Sequence, residues 1–129
     1  MTDTETWDPL GRVQVYQLAL EAMREARGDG QRLMGDPLLR DVASQLMRAV
    51  PSIAANVAEG YSRGTTADRR RFLEYALGSA RESIVWYEAS GLEETESRKA
   101  RLIAIRRLLL TMIRNSRRDS AADRKRFER

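Results

Sequence analysis

The sequence predicts an all-α protein, an antiparallel up-down bundle of four helices. Only 3 Pro and 8 Gly interrupt its 129 residues, and apolar residues recur at three- and four-residue spacing in four separate segments. No segment alternates as a half-buried strand does. Four amphipathic helices with short loops bury their stripes as a bundle. We place it at residues 8–118, after a polar arm (1–7) and before a basic tail or helix extension (119–129).

The first helix is predicted to start after Asp8-Pro9, because an aspartate cap followed by proline at the first helical position marks a helix start. Its apolar stripe runs from Val15 to Ala26, with Gln and Glu on the opposite side. We expect Gly28-Asp29-Gly30 to end this helix.

The second helix is predicted to start after Asp36-Pro37. Its apolar stripe, from Leu39 to Val57, stays in phase across Pro51. This favours a kink over a break, because the proline ring removes one backbone hydrogen bond without shifting the register. Gly60 is the expected end of the helix.

The third helix is predicted to be capped by Thr65 or Thr66 and closed by Ser90-Gly91. The fourth is predicted to begin near Glu93. Its inner face comprises Leu102, Ile105, Leu108, Leu109, Met112 and Ile113. After Asn115 the apolar pattern fades, so residues 119–129 are either a frayed helical extension or a mobile tail.

The composition excludes several kinds of chemistry. The chain has no Cys and no His, which rules out disulfides, thiolate nucleophiles, imidazole bases and the usual zinc or iron ligand sets. We therefore expect no metal, no cofactor, no catalytic residue and no enzymatic activity. The start of the chain is polar and acidic rather than signal-like, and no apolar run approaches the length of about 20 residues that spans a membrane. These features predict a cytoplasmic protein with no membrane partner.

Positive charge is concentrated at the C-terminal end. Residues 1–97 carry a net charge of −5 and residues 98–129 a net charge of +9. This asymmetry favours RNA or DNA as a partner, although arginines also serve simply to solvate a helix face. The predicted phosphate contacts are Lys99, Arg106, Arg107, Arg114, Arg117 and Arg118, with Arg124, Lys125 and Arg126 in the tail. Because they contact only phosphates, we expect binding to be largely independent of sequence.

Four apolar side chains lie off the core stripes and predict a homo-oligomer. Ile103 and Leu110 sit within the basic face of the fourth helix, and Tyr75 and Trp86 point away from the apolar face of the third. Gly78-Ser79 in mid-helix costs about 1 kcal/mol of helix propensity, which a close helix approach can offset.

A polar edge accompanies the apolar stripe of the second helix. It consists of Gln45, Arg48, Ser52, Asn56 and Glu59. We favour a structural hydrogen-bond network that sets the packing register. The alternative is a polar ligand pocket or active site around Glu59, Asn56 and Arg48. Against catalysis, Glu59 has no second acid close in sequence.

The same segment resembles the signature of the four-helix-bundle proteins encoded within intervening sequences of 23S rRNA genes, approximately R-A-x-x-S-I-x-x-N-I-A-E-G. The chain matches this pattern from Arg48 to Gly60, with Val57 in place of Ile. Residues 71–82 resemble the F-L-x-x-A-x-G-S-x-x-E third helix of the family. The pattern's usual proline position is Ala54 here, three residues after Pro51.

The resemblance implies a ring-shaped homo-oligomer, typically a pentamer, with no established enzymatic activity. The accessory proteins of diversity-generating retroelements look like structural relatives, and they bind a reverse transcriptase and its template RNA. Two functions follow as hypotheses. The first is a non-enzymatic nucleic-acid-binding adaptor that uses the basic face of the fourth helix, and the second is an accessory subunit of a reverse transcriptase.

Overall fold

A computed structural model describes residues 8–127, which form a bundle of four helices. The helices are α1 (Gln14–Leu33), α2 (Arg40–Tyr61), α3 (Thr66–Ser90) and α4 (Thr95–Phe127). Short 3₁₀ helices at Pro9–Arg12 and Pro37–Leu39 precede α1 and α2. No strand occurs within residues 8–127, so the all-α prediction is confirmed. The predicted arm, residues 1–7, lies outside the described residues.

The caps occur where the sequence predicts them. The Asp8 carboxylate accepts a hydrogen bond from the Leu10 backbone N–H at 2.9 Å, and Asp36 accepts one from that of Leu38 at 3.0 Å. Each aspartate caps a short 3₁₀ helix. Helix α1 begins one extended residue, Val13, after the first of these, and α2 begins directly after the second. Thr65 caps α3, and Gly91 ends that helix in the left-handed conformation with φ of +67°.

One predicted helix end is wrong. Helix α1 continues through Gly28-Asp29-Gly30 to Leu33. Asp29 is buried and hydrogen-bonded to α3 and α4. Gly30 faces α2 so closely that an added Cβ would lie 3.0 Å from Met47 Cγ. These tertiary contacts outweigh the low helix propensity of the three residues.

Helix α2 runs without a break through Pro51, as predicted, and ends at Tyr61. Its stripe supplies the centre of the core, where Leu46, Val50 and Ile53 are fully buried. On α4, Leu102, Ile105 and Leu109 are buried equally completely. The helix pairs that pack together are α1–α2, α2–α3, α3–α4 and α1–α4, so each helix has two neighbours. Among the described residues, no helix has the length and apolar character needed to cross a membrane.

We expect Gly60→Ala to destabilise the bundle by about 1–3 kcal/mol, the usual cost of overpacking. A Cβ at Gly60 would lie 3.0 Å from Phe72 Cβ and 3.3 Å from the Arg69 carbonyl oxygen, where α2 meets α3. Gly28→Ala is the matched control. Its Cβ would have no heavy atom within 4 Å, so this substitution should stabilise α1 by about 1 kcal/mol. Urea unfolding of both variants tests the contrast, and equal stabilities would contradict it.

Candidate nucleic-acid interface

A hollow in two parts lies along the surface between α3 and α4, and the Glu74–Arg117 ion pair stands where the two parts meet. Its first part, about 610 Å³, is lined by Glu74, Leu77, Gly78, Arg81, Leu110, Ile113, Arg114 and Arg117. Its second part, about 620 Å³, is lined by Ala67, Arg70, Glu74, Arg117, Ser120 and Arg124. The two parts share Glu74 and Arg117. We call the whole hollow the arginine groove.

The arginine groove carries five arginines against one glutamate. Arg117 pairs with that glutamate, Glu74, at 3.2 Å. Arg70 donates a hydrogen bond to Ser120 Oγ at 3.1 Å. Arg81, Arg114 and Arg124 form no ion pair within residues 8–127. The groove therefore presents net positive charge to an incoming ligand.

Intramolecular ion pairs neutralise the N-terminal part of α4. Lys99 pairs with Glu88 and Glu96, and the hydrogen bond to Glu88 raises the pKa of the Lys99 ammonium. Arg101 pairs with the α1 residues Glu21 and Glu25. Lys99, a predicted phosphate contact, thus already has two acidic partners.

The remaining predicted contacts form a longer exposed series toward the end of α4. Arg106 is half-buried, whereas Arg107, Arg114, Arg117, Arg118, Arg124, Lys125 and Arg126 are exposed. Apart from Arg117, none of these cations forms an ion pair in the part of the chain that the structure describes. Because α4 continues to Phe127, residues 119–127 belong to the helix.

Sequence reasoning missed the contribution of α3 to this surface. Arg70 and Arg81 lie on the same side of α3 as Leu77, at spacings of seven and four residues. This spacing is visible in the sequence. Which two helices border the surface, however, depends on how the bundle packs, and the charge pattern of α4 alone does not contain that information.

The four predicted interface residues differ in their exposure. Leu110 is 42% exposed and lines the arginine groove, while Ile103 is half-buried. Tyr75 is 52% exposed and packs edge-on against Phe72. Trp86 packs partly buried against the core, and its Nε1 has no hydrogen-bond partner among the described residues.

The polar edge of α2 lies against α3. Arg48 donates to Gln45 at 3.0 Å and pairs with Glu82 at 2.5 Å. Ser52 donates to Ser79 Oγ at 2.6 Å. The two segments that carry the family-like motifs therefore pair with each other, arginine with glutamate and serine with serine. This partnership was not predicted.

The other two members of the edge make local contacts. Asn56 donates to the Ser52 carbonyl oxygen at 2.9 Å, and Glu59 pairs with Arg63 one turn further along. Each of the five edge residues thus has a partner within the chain. No group of three or more residues among residues 8–127 is arranged to hold a metal ion.

A buried ionic cluster at the other end of the bundle was also missed. Asp29 accepts hydrogen bonds from Tyr87 Oη at 2.7 Å, Arg98 Nε at 2.7 Å and Arg32 Nη2 at 2.7 Å. Burial raises the pKa of Asp29, but the hydrogen bonds from Arg98, Tyr87 and Arg32 outweigh it and hold this pKa below its usual range. Burial and the neighbouring Asp29 raise the pKa of the Tyr87 phenol. The cluster joins α1, α3 and α4.

Comparison with known proteins gives one family and one similar fold. The model of the family described as 23S rRNA-intervening sequence protein matches residues 12–104. A crystal structure of a protein of unknown function from the S23 ribosomal protein family of Bacteroides thetaiotaomicron superposes with a TM-score of 0.71. It shares 26% identity, over 77% of this chain and 97% of that one. Comparison with curated proteins finds no match.

The family match spans α1, α2, α3 and the start of α4, and it includes the α2–α3 seam where Arg48 meets Glu82. The arginine groove extends beyond it, because Leu110, Arg114 and Arg117 follow residue 104. The family match therefore covers the first three helices and the start of α4, and not the later part of α4. The chain belongs to the 23S rRNA-intervening sequence protein family.

Proposed function

We propose that the protein is a non-enzymatic, homo-oligomeric adaptor that binds RNA or DNA through the arginine groove and the exposed cations of α4. The observation that carries this proposal is a set of arginines that form no ion pair within residues 8–127. Arg81 and Arg114 line the groove, and Arg107 and Arg118 lie exposed on α4. Arginines at such positions neutralise phosphates and release counterions, with little dependence on base sequence.

The outer surface of α3 supports assembly into a homo-oligomer. Tyr75 and Val85 are 52% and 59% exposed and lie on one side of α3. A helix of another copy packed against this side would bury both apolar side chains.

The proposed assembly is a ring, with a pentamer favoured, of antiparallel up-down bundles. Ion pairs between the end of α3 and the start of α4 (Lys99–Glu88), and between the start of α3 and the later part of α4 (Arg117–Glu74), support the antiparallel arrangement. Repeating one basic groove around a ring would turn a weak electrostatic contact into strong binding through avidity.

Sedimentation of the full chain with labelled RNA and DNA of equal length, at low and moderate salt, tests this proposal. We expect a particle of several subunits whose binding weakens steeply with salt, with a log–log slope of about 0.9 per phosphate for duplex DNA. Tyr75→Asp should reduce the particle mass. If the assembled protein binds neither nucleic acid, the binding role is refuted. If the wild-type protein sediments as a monomer, the proposed assembly is refuted.

A cleft between α1 and α2 favours a second candidate function, that of an accessory subunit for a reverse transcriptase. The cleft, about 320 Å³, has the exposed side chains Met34 and Met47 beside Gly30 and Ala43. Exposed methionines suit adaptable protein contacts. Genomic neighbourhood separates the two functions. A reverse-transcriptase gene with paired template and variable repeats would favour the accessory role, and an rRNA operon would favour the adaptor.

A further inference from the structure

We propose that the second part of the arginine groove binds a phosphomonoester, the kind of phosphate that ends a nucleic-acid strand and that free nucleotides carry. The inference rests on the proposed function and adds to it a site for the end of a strand. Its support comes from the charge of Arg70, the polar lining, the net charge of the hollow and the contacts that bound it.

Arg70 carries a half-buried positive charge and forms no ion pair in the part of the chain that the structure describes. Its Nη1 donates to Ser120 Oγ at 3.1 Å and to the Ser116 carbonyl oxygen at 3.4 Å. Both acceptors are neutral, so they position the guanidinium without compensating its charge. Because a guanidinium has five N–H donors in a fixed fork, others remain for a ligand. An anion in the hollow would supply the missing opposite charge.

The lining of the second part favours a charged ligand over an apolar one. It consists of Ala67, Arg70, Glu74, Arg117, Ser120 and Arg124. Helix α3 supplies one of the three arginines and α4 the other two. The volume of about 620 Å³ lies within the range of about 300–1,000 Å³ that is usual for small-molecule sites. A terminal nucleotide can therefore enter together with its phosphate.

The net charge of the hollow matches a phosphomonoester better than an internal phosphodiester. Three arginines and one glutamate line it, which leaves an excess of two positive charges. A phosphomonoester carries about −1.5 to −2 charges at pH 7, whereas a phosphodiester in a strand carries one. Asp119 and Asp123 fall on the opposite side of α4 from the lining residues of that helix. They are therefore poorly placed to offset this excess.

Serine hydroxyls provide neutral donors beside Arg70. Ser116 and Ser120 lie one turn apart on α4. Ser120 lines the hollow, and its hydroxyl, which accepts the hydrogen bond from Arg70, can donate its own proton to a phosphate oxygen. Ser116 Oγ is buried and has no hydrogen-bond partner within residues 8–127. Phosphate oxygens are strong acceptors, so these hydroxyls suit the same ligand as the arginines.

Contacts between α3 and α4 bound the second part. The Glu74–Arg117 ion pair, at 3.2 Å, stands where it meets the first part. The hydrogen bond from Arg70 to Ser120 also joins the two helices. At the other end the lining reaches Ala67, the second residue of α3. A hollow bounded in this way suits the end of a ligand better than the middle of a strand.

The first experiment compares a 5′-phosphorylated RNA with the same RNA ending in a 5′-hydroxyl, both labelled at the 3′ end, by fluorescence anisotropy. At about pH 7.5 we expect the full-length protein to bind the phosphorylated RNA about fivefold more tightly, as one further charge pair at a partly exposed site gives. At about pH 5.5 this preference should shrink, because the terminal phosphate has a second pKa of about 6. The chain has no histidine that would titrate in the same range.

Three variants locate the site. Arg70→Gln should abolish the preference and leave binding of the 5′-hydroxyl RNA largely intact. Arg124→Gln should reduce the preference, and it lies exposed in the last turn of α4, where the core is not disturbed. If Arg70→Gln fails to fold, Arg124→Gln decides the test. Arg107→Gln is the matched control, because Arg107 is an exposed arginine of α4 outside the groove lining.

Isothermal titration with inorganic phosphate alone, at constant ionic strength, distinguishes the two sources of the phosphate. A preference for phosphorylated RNA that is lost in Arg70→Gln and kept in Arg107→Gln supports the inference with the strand end as ligand. Equal binding of the two RNAs, with phosphate binding that requires Arg70, supports the site and assigns it a free phosphomonoester. Equal binding of the two RNAs without such phosphate binding overturns the inference and leaves the proposed function standing. Binding of neither RNA overturns the proposed function, and the phosphate titration then decides the site separately.

Discussion

Asp29→Ala is expected to lower the free energy of unfolding by about 3 kcal/mol, the lower end of the range for breaking a buried ion pair. The substitution leaves the buried Tyr87 hydroxyl and part of the Arg98 guanidinium without their acceptor. Arg98 still pairs with Glu25, which limits the loss. Because Asp29 joins three helices, the effect should appear as a single cooperative loss of stability.

Urea unfolding of Asp29→Ala and Glu94→Ala measures this effect. Glu94 also pairs with Arg32, but at the surface, so its removal should change stability far less. The difference between wild type and Asp29→Ala also depends on pH. The folded-state pKa of Asp29 is lowered, so its contribution is present above the unfolded value of about 4 and is lost as pH falls toward the folded value. A difference that persists in strong acid would contradict this account.

Reversing the charge of Arg107 and Arg114 together is expected to weaken nucleic-acid binding about tenfold at moderate salt. Both side chains are exposed, and neither has an ion-pair partner among the described residues. The loss of two phosphate contacts should also reduce the log–log salt slope by about 1.4 for a single strand. Assembly should be unchanged, because neither arginine lies on the proposed α3 surface.

Anisotropy titrations at several salt concentrations give both quantities. The matched control is Arg24→Glu with Arg27→Glu, which reverses two exposed charges on α1, away from the arginine groove. The control should bind nearly as wild type does. Equal weakening in the two double variants would mean that only net charge matters, and unchanged affinity in Arg107→Glu with Arg114→Glu would refute the assignment.

The fold was predictable because its signals are local or periodic. Thr65, Pro51 and Gly91 act as their sequence context indicates, since caps, ring geometry and a left-handed glycine are decided within a few residues. The end of α1 was not predictable. Whether Gly28-Asp29-Gly30 breaks a helix depends on Tyr87 and Arg98, which lie 58 and 69 residues away from Asp29.

The candidate site was half predictable for the same reason. The exposed arginines of α4 follow from charge and helical spacing. The pairing of Lys99 with Glu88 depends on which helices are neighbours and on their relative position along the bundle axis. The same holds for the presence of Arg70 and Arg81 in the lining of the groove. A single sequence contains no direct measure of either.

The last turn of α4 places two demands on the same side chains. Arg124, Lys125 and Arg126 lie where the partial negative charge of the helix C-terminus is concentrated, and cations there stabilise a helix by about 0.3–1 kcal/mol each. A phosphate bound to them competes with the helix end for their charge, so the turn should loosen as the ligand binds. Arg114, more than three turns before Phe127, faces no such competition, so its charge is fully available to a ligand.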